Sequence, residues 1–318
     1  MAKIYVTRQL PEGGLDSLSQ HQVDVNEEDR PLSKEELLDI VREYDAVICL
    51  LNDGIDSEVI AAAQGKVKIF ANYAVGYDNI DVAAAHGAGI KVSNTPGVLT
   101  EATADIAWAL LLAAGRHIVA AHKFTLEGKF QGWHPTEFLG QEFHGANFGI
   151  IGAGRIGQAT ARRATGFGMK ILYYNRSAKL GFERECNATR VELDTLLQQS
   201  DFVSIHVPLT PETQNLLDAR RLEMLKPTAV VVNTARGPVL DEAHLATMLR
   251  QGKLASAGLD VYAQEPKIHP DLLDLDNVVL LPHIGSASWQ TRLKMAAMAA
   301  ENVAAVLDGR EPPNPVIP

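Results

Sequence analysis

Short apolar runs of strand length alternate with amphipathic stretches of helical length along almost the whole chain. A parallel strand covered on both faces is apolar throughout, and it needs a crossover helix to reach its neighbour. The alternation therefore predicts an α/β protein built from βαβ units and parallel sheets. In the first third, strands are read at 3–7, 22–25, 46–50, 67–71 and 90–92. One intervening helix begins at Ser33, which forms a capping box with Glu36. Five such strands predict a flavodoxin-like domain. A second series, at 147–151, 169–174, 202–205, 229–233, 255–261 and 278–281, supplies the six strands of a dinucleotide-binding Rossmann domain.

Between the two series, the pattern predicts one long helix over 101–121, capped by Thr100 after the Pro96-Gly97 turn. The stretch 126–145 is rich in glycine, aromatic and polar residues, has no clear period and reads as an irregular arm. A last helix, 288–307, lies beyond the final strand and is expected to return to the first domain. The expected organisation is a discontinuous substrate domain, 1–99 plus 287–318, around a central nucleotide domain, 100–286. The 318 residues suit two domains, because single cores seldom grow past about 250–300 residues.

With 39 acidic against 29 basic residues the net charge is −10, a surface that repels nucleic acid and anionic membranes. The longest apolar run, 106–114, falls short of the about 20 residues that span a bilayer. The N-terminus, Met-Ala-Lys-Ile-Tyr-Val-Thr-Arg, reads as a first strand and not a signal peptide. Two cysteines, Cys49 in an apolar run and Cys186, cannot make a disulfide framework, so a reducing, cytoplasmic setting is expected. No metal site is expected.

The central domain opens with Gly152-Ala153-Gly154-Arg155-Ile156-Gly157, between a strand and an amphipathic helix. Gly152 permits the tight turn, Gly154 lets a pyrophosphate approach the backbone, and Gly157 lets helix and strand pack closely. Alone, such a turn can serve packing only; in this context it reads as a nucleotide site. An acid after the second strand would hold a ribose 2′-hydroxyl, but the sequence there is Asn175-Arg176-Ser177. Arg176 can pair with a 2′-phosphate, so NADP(H) is expected over NAD(H). The alternative is a solvated Arg176 and NAD.

Three later segments each place a polar side chain at the C-terminal end of a strand, where open α/β sheets bind ligands. They carry Arg236, Glu265 and His283. Singly, Arg236 could cap a helix, Glu265 could be a turn residue before Pro266, and His283 could be structural. Together they provide a carboxylate anchor, a group that orients a histidine, and a proton donor for a keto oxygen that gains charge as hydride arrives.

The chain resembles the D-isomer-specific 2-hydroxyacid dehydrogenases. The matching segments are Gly152–Gly157, His206-Val207-Pro208-Leu209-Thr210-Pro211-Glu212-Thr213, Asn233-Thr234-Ala235-Arg236-Gly237, Gly258-Leu259-Asp260-Val261, Glu265-Pro266 and Pro282-His283-Ile284-Gly285-Ser286. The resemblance implies that Arg236, Glu265 and His283 are the catalytic set. It also implies cofactor contacts from Thr103, Gly152, Ala153, Gly154, Arg155, Ile156, Gly157, Asn175, Arg176, Ser177, His206, Val207, Pro208, Thr213, Thr234, Ala235, Asp260 and Gly285. Within the family the chain is most similar to the glyoxylate/hydroxypyruvate and 2-ketogluconate reductase branch, through residues 73–81 and 94–105. That branch implies that the amides of Val75 and Gly76 bind the substrate carboxylate, that Ser286 lies close to the substrate, and that Asn-Arg-Ser goes with NADP(H).

A homodimer with an arm from the cofactor domain is implied too, and Trp133 either packs in that interface or reaches the partner's pocket. Formate dehydrogenases pair the histidine with glutamine, so Glu265 argues against them. Phosphoglycerate dehydrogenases often add a regulatory domain for which 318 residues leave no room, though a short form stays open. D-lactate dehydrogenases carry an acid where Asn175-Arg176-Ser177 stands. A corepressor that only senses the nucleotide is the reading from another class; it would carry extra terminal segments.

Overall fold

The computed structural model describes residues 1–28 and 30–318. The chain divides into two compact units, Met1–Leu99 with Ser286–Pro318, and Thr100–Gly285.

In the first unit, strands β1 (Lys3–Val6), β2 (Gln22–Val25), β3 (Ala46–Cys49), β4 (Ile69–Asn72) and β5 (Lys91–Ser93) form a parallel sheet. Its order, β2-β1-β3-β4-β5, is that of a flavodoxin-like sheet. Every residue of β3 and β4 is buried, as strands covered on both faces must be. The capping box at Ser33 is closed both ways: the Glu36 amide donates to Ser33 Oγ at 3.2 Å, and the Ser33 amide to Glu36 Oε2 at 2.7 Å. The helix it starts, Lys34–Glu43, buries Leu37, Ile40 and Val41, one stripe at helical spacing. The helix Trp289–Leu307, capped by Ser288, lies against β3 and β4.

In the second unit, β6 (Asn147–Ile151), β7 (Lys170–Tyr174), β8 (Thr189–Arg190), β9 (Phe202–Ile205), β10 (Val230–Asn233), β11 (Ser256–Leu259) and β12 (Val278–Leu280) are also all parallel. The order is β12-β11-β10-β9-β6-β7-β8, a Rossmann sheet extended by one strand, so seven strands stand where six are expected. The strand not read from sequence is β8, two residues long, which takes the third place of the Rossmann order; β12 is the seventh strand that extends it. The point where strand order reverses lies between β6 and β9.

The single helix expected over 101–121 is two helices, Thr100–Gly115 and Ile118–Leu126, bent by 63°. Thr100 is the first helical residue and not the cap. The break sits at His117, whose φ of 52° is left-handed. The Gly115 carbonyl, which a continuing helix would give to an amide one turn on, instead accepts the Gln141 N–H at 2.8 Å. The returning segment thus ends the first helix from outside. Residues 127–146 form no helix or strand and expose Phe130, Trp133 and Leu139. Among the described residues no single helix is long and apolar enough to cross a membrane.

Candidate active site

All the motif residues of the second unit emerge from the C-terminal edge of its sheet. After β6 the chain turns at Gly152 and enters the helix Arg155–Gly166, with Gly154 as its N-cap. Gly157 is required by packing: a Cβ there would lie 2.0 Å from the Gly152 carbonyl oxygen. Across the switch point, the His206 carbonyl and Val207 lie directly against Gly152. Gly154 differs, since a Cβ there would meet nothing within 4 Å. An open backbone at the N-terminus of a three-turn helix fits a pyrophosphate, which needs close approach and exposed N–H groups. At the end of β10, the Thr234 hydroxyl is buried with no hydrogen-bond partner, as a group awaiting a ligand would be. These observations fit a dinucleotide.

After β7, Asn175 joins two parts of this region. Its Oδ1 accepts the Ala153 N–H at 3.2 Å, and its Nδ2 donates to the Ser177 carbonyl at 2.9 Å. Arg176 and Ser177 are exposed. After β9, the His206 ring meets Ser204 Oγ at 2.8 Å, and burial pushes its pKa down to about 3, which keeps it neutral. The Thr213 hydroxyl donates to the Pro208 carbonyl and closes that loop.

Arg236, Glu265 and His283 come together. Asn233 builds the first of their turns: its Oδ1 accepts the Ala235 N–H at 3.0 Å and its Nδ2 donates to the Arg236 carbonyl at 2.9 Å. Gly237 then packs on the segment that carries Glu265, so tightly that a Cβ would sit 1.9 Å from the Tyr262 carbonyl carbon. Glu265 Oε1 accepts the Tyr262 N–H at 3.0 Å, and Oε2 lies 2.8 Å from His283 Nδ1. Burial works against the charged Glu265. The His283 hydrogen bond and charge, the Tyr262 amide and the charge of Arg236 outweigh it and hold the carboxyl below its ordinary range.

His283 has a φ of 55°, a conformation that L side chains rarely adopt. Asp260 fixes it by accepting the two following amides, of Ile284 and Gly285, each at 2.7 Å. Burial pushes the Asp260 carboxyl up, against the pull of those amides and of His283. The Cβ position of Gly285 faces Asp260 and the buried Thr103, so these three cofactor candidates meet as well.

Val75, Gly76 and Ser286 belong to the first unit. There Asn94 Nδ2 donates to the Val75 carbonyl and Asn72 Nδ2 to the Gly76 carbonyl, both at 2.8 Å. A planar trans peptide points its two polar groups in opposite directions, so pinning the Val75 carbonyl turns the Gly76 N–H the other way.

Sequence reasoning missed two side chains here. Glu242, at the start of the helix Glu242–Arg250, is buried and accepts the Ala263 N–H at 2.5 Å. Two adjacent amides, of Tyr262 and Ala263, are thus each bound by a glutamate. A glutamate in the first turn of a helix looks solvated in sequence, so nothing marked it. The other is Arg190, in β8 beneath the Asn175–Ser177 loop.

A dinucleotide cradle and an acid–base pair on one sheet edge define a nicotinamide-nucleotide-dependent dehydrogenase. A family model of the D-isomer specific 2-hydroxyacid dehydrogenase NAD binding domain matches residues 108–285. Glyoxylate reductases of Korarchaeum cryptofilum and Thermococcus onnurineus are 51% and 49% identical over 316 residues, 98% of this chain and 95% and 94% of theirs. An NADPH-dependent glyoxylate/hydroxypyruvate reductase from Sinorhizobium meliloti, solved with NADP and malonate, superposes with a TM-score of 0.86 at 32% identity, covering 99% of this chain and 96% of that one. The chain belongs to the D-isomer-specific 2-hydroxyacid dehydrogenase family, and is an NAD(P)-dependent enzyme of it.

Proposed function

We propose that this protein reduces a small 2-keto acid of the glyoxylate or hydroxypyruvate type to the D-2-hydroxy acid, with NADPH as reductant. The observation that carries the reading is the 2.8 Å contact of His283 Nδ1 with Glu265 Oε2, with Arg236 close enough to act on the same carboxylate. The bound nicotinamide supplies the hydride. Protonated His283 keeps its Nδ1–H on Glu265 and gives the Nε2 proton to the keto oxygen, leaving a neutral ring of fixed tautomer. Glu265 stays charged and stabilises the imidazolium. Arg236 holds the substrate carboxylate, and the amides of Val75 and Gly76 are its proposed ligands in the first unit. Ser286 is proposed to border the substrate.

Preference for NADPH rests on Asn175-Arg176-Ser177 standing where a carboxylate would select NAD. The remaining cofactor contacts are proposed as the family motifs set them out above. A homodimer formed through the 127–146 arm is supported by its exposed Phe130, Trp133 and Leu139. A cytoplasmic setting is supported by two buried, unbridged cysteines.

The test is turnover of glyoxylate, hydroxypyruvate, 2-ketogluconate, pyruvate and phenylpyruvate with each cofactor. The expected result is the highest kcat/KM with NADPH and glyoxylate or hydroxypyruvate, and D-glycerate from the latter. A preference for NADH would overturn the cofactor assignment, and absence of turnover the enzymatic one.

A further inference from the structure

The loop proposed to meet a 2′-phosphate is not held by its own residues alone. Strand β8 pairs with β7 in parallel, Tyr173 opposite Arg190. From there the Arg190 guanidinium reaches the loop, where Nε donates to the Asn175 carbonyl at 3.1 Å and Nη2 to the Arg176 carbonyl at 3.2 Å. These are consecutive peptide units. Because a trans peptide points its carbonyl and N–H in opposite directions, fixing both carbonyls turns the N–H groups of Arg176 and Ser177 away from Arg190. The carbonyl dipoles, which would repel an anion, are neutralised by the same cation. Asn175 ties the loop to the glycine turn through the Ala153 amide.

Around this loop the chain carries Lys170, Arg176 and Lys179 before its first acid, Glu183, whose carboxylate accepts the Tyr173 hydroxyl. Arg176 does not act on this loop alone. The Glu212 carboxyl is held below its ordinary range by the Thr210 hydroxyl, its own amide and the charge of Arg176, so part of the Arg176 field is met by an acid. Arg190 spends two N–H donors on carbonyls; a guanidinium has five, and the other three remain available on the same group.

We propose that Arg190 is a specificity-determining residue for the reductant: it orients the Asn175–Ser177 loop for a ribose 2′-phosphate and adds a second guanidinium charge beside Arg176. This rests on the NADPH reading, and the experiment separates the two. Wild type, Arg190→Ala and Arg190→Lys are compared by kcat/KM with NADPH and NADH at fixed salt. Inhibition by adenosine 2′,5′-bisphosphate is compared with inhibition by 5′-AMP. In Arg190→Ala the NADPH/NADH ratio is expected to fall about tenfold or more, the scale of charge-assisted hydrogen bonds lost. Adenosine 2′,5′-bisphosphate should weaken more than 5′-AMP. Arg190→Lys should fall between the two, because an ammonium keeps the charge but lacks the rigid planar fork that holds the two consecutive carbonyls, and it carries the test if Arg190→Ala does not fold. A wild type that prefers NADH overturns the NADPH reading itself. A wild type that prefers NADPH, with the ratio unchanged in both variants, overturns the role of Arg190 alone.

Discussion

His283 and Glu265 face each other at 2.8 Å across two different strand ends, and each is fixed from behind by backbone amides: Glu265 by that of Tyr262, His283 through the Asp260 clamp on Ile284 and Gly285. Neither side chain is deeply buried, so the distance is set by the loops and not by a surrounding core.

His283→Ala should lower kcat by about 10²–10⁴-fold, the contribution of a positioned acid. Glu265→Gln keeps the shape but removes the charge that stabilises imidazolium. The kcat for reduction should then fall by about 10-fold or more, because a neutral amide does not steady the charged ring. Steady-state kinetics check both; an unchanged kcat in Glu265→Gln would contradict the pairing.

Glu242 tests the electrostatics beneath the pair. Burial raises its pKa, outweighing the Ala263 amide and His269, and the charge of Glu265 adds to it. A folded-state value above the unfolded one means that stability is fullest at low pH and is lost as pH rises through the folded value. Glu242→Gln removes that penalty while keeping an acceptor for the Ala263 amide. It should raise Tm at pH 7 by up to about 2–4 °C, the effect of about 1 kcal/mol in a domain of this size. The gain should vanish as pH falls toward the ordinary carboxylate range, which thermal melts across pH would show.

Gly237→Ala should be damaging out of proportion to one methyl group. The new Cβ would overlap the Tyr262–Ala263 backbone, which cannot yield as a flexible side chain would. A loss on the order of 1–3 kcal/mol is expected from overpacking. Because the overlap pushes apart the turns carrying Arg236 and Glu265, kcat should fall as well. Thermal unfolding and kinetics on the same sample measure the two effects.

The arm predicts an oligomer. Trp133, 85% exposed, and Phe130, 59% exposed, leave large apolar area uncovered on one irregular segment. The double substitution Phe130→Ser with Trp133→Ser should shift sedimentation from dimer toward monomer. A wild type that sediments as a monomer would remove the proposed interface.

Most strands were legible because parallel strands buried on both faces are written as unbroken apolar runs; the Val230–Asn233 sequence Val-Val-Val-Asn leaves little choice. The capping box at Ser33 was equally plain. What escaped was what no local pattern encodes. The apolar pattern runs on through Arg116 and His117, and only the distant Gln141 amide shows why the helix stops there. Strand β8 is too short to display a period. Arg236, Glu265 and His283 were readable as polar residues after apolar strands, but their supports, Asn233, Gly237 and Glu242, act through backbone contacts between segments that only folding brings together.

Arg236, Glu265 and His283 all stand on one seven-stranded sheet. On the proposed roles, a single folding unit holds every group that moves or steadies the proton. Substitutions confined to the other unit would leave that proposed apparatus intact, so the chemistry could stay fixed while the rest of the chain diversifies.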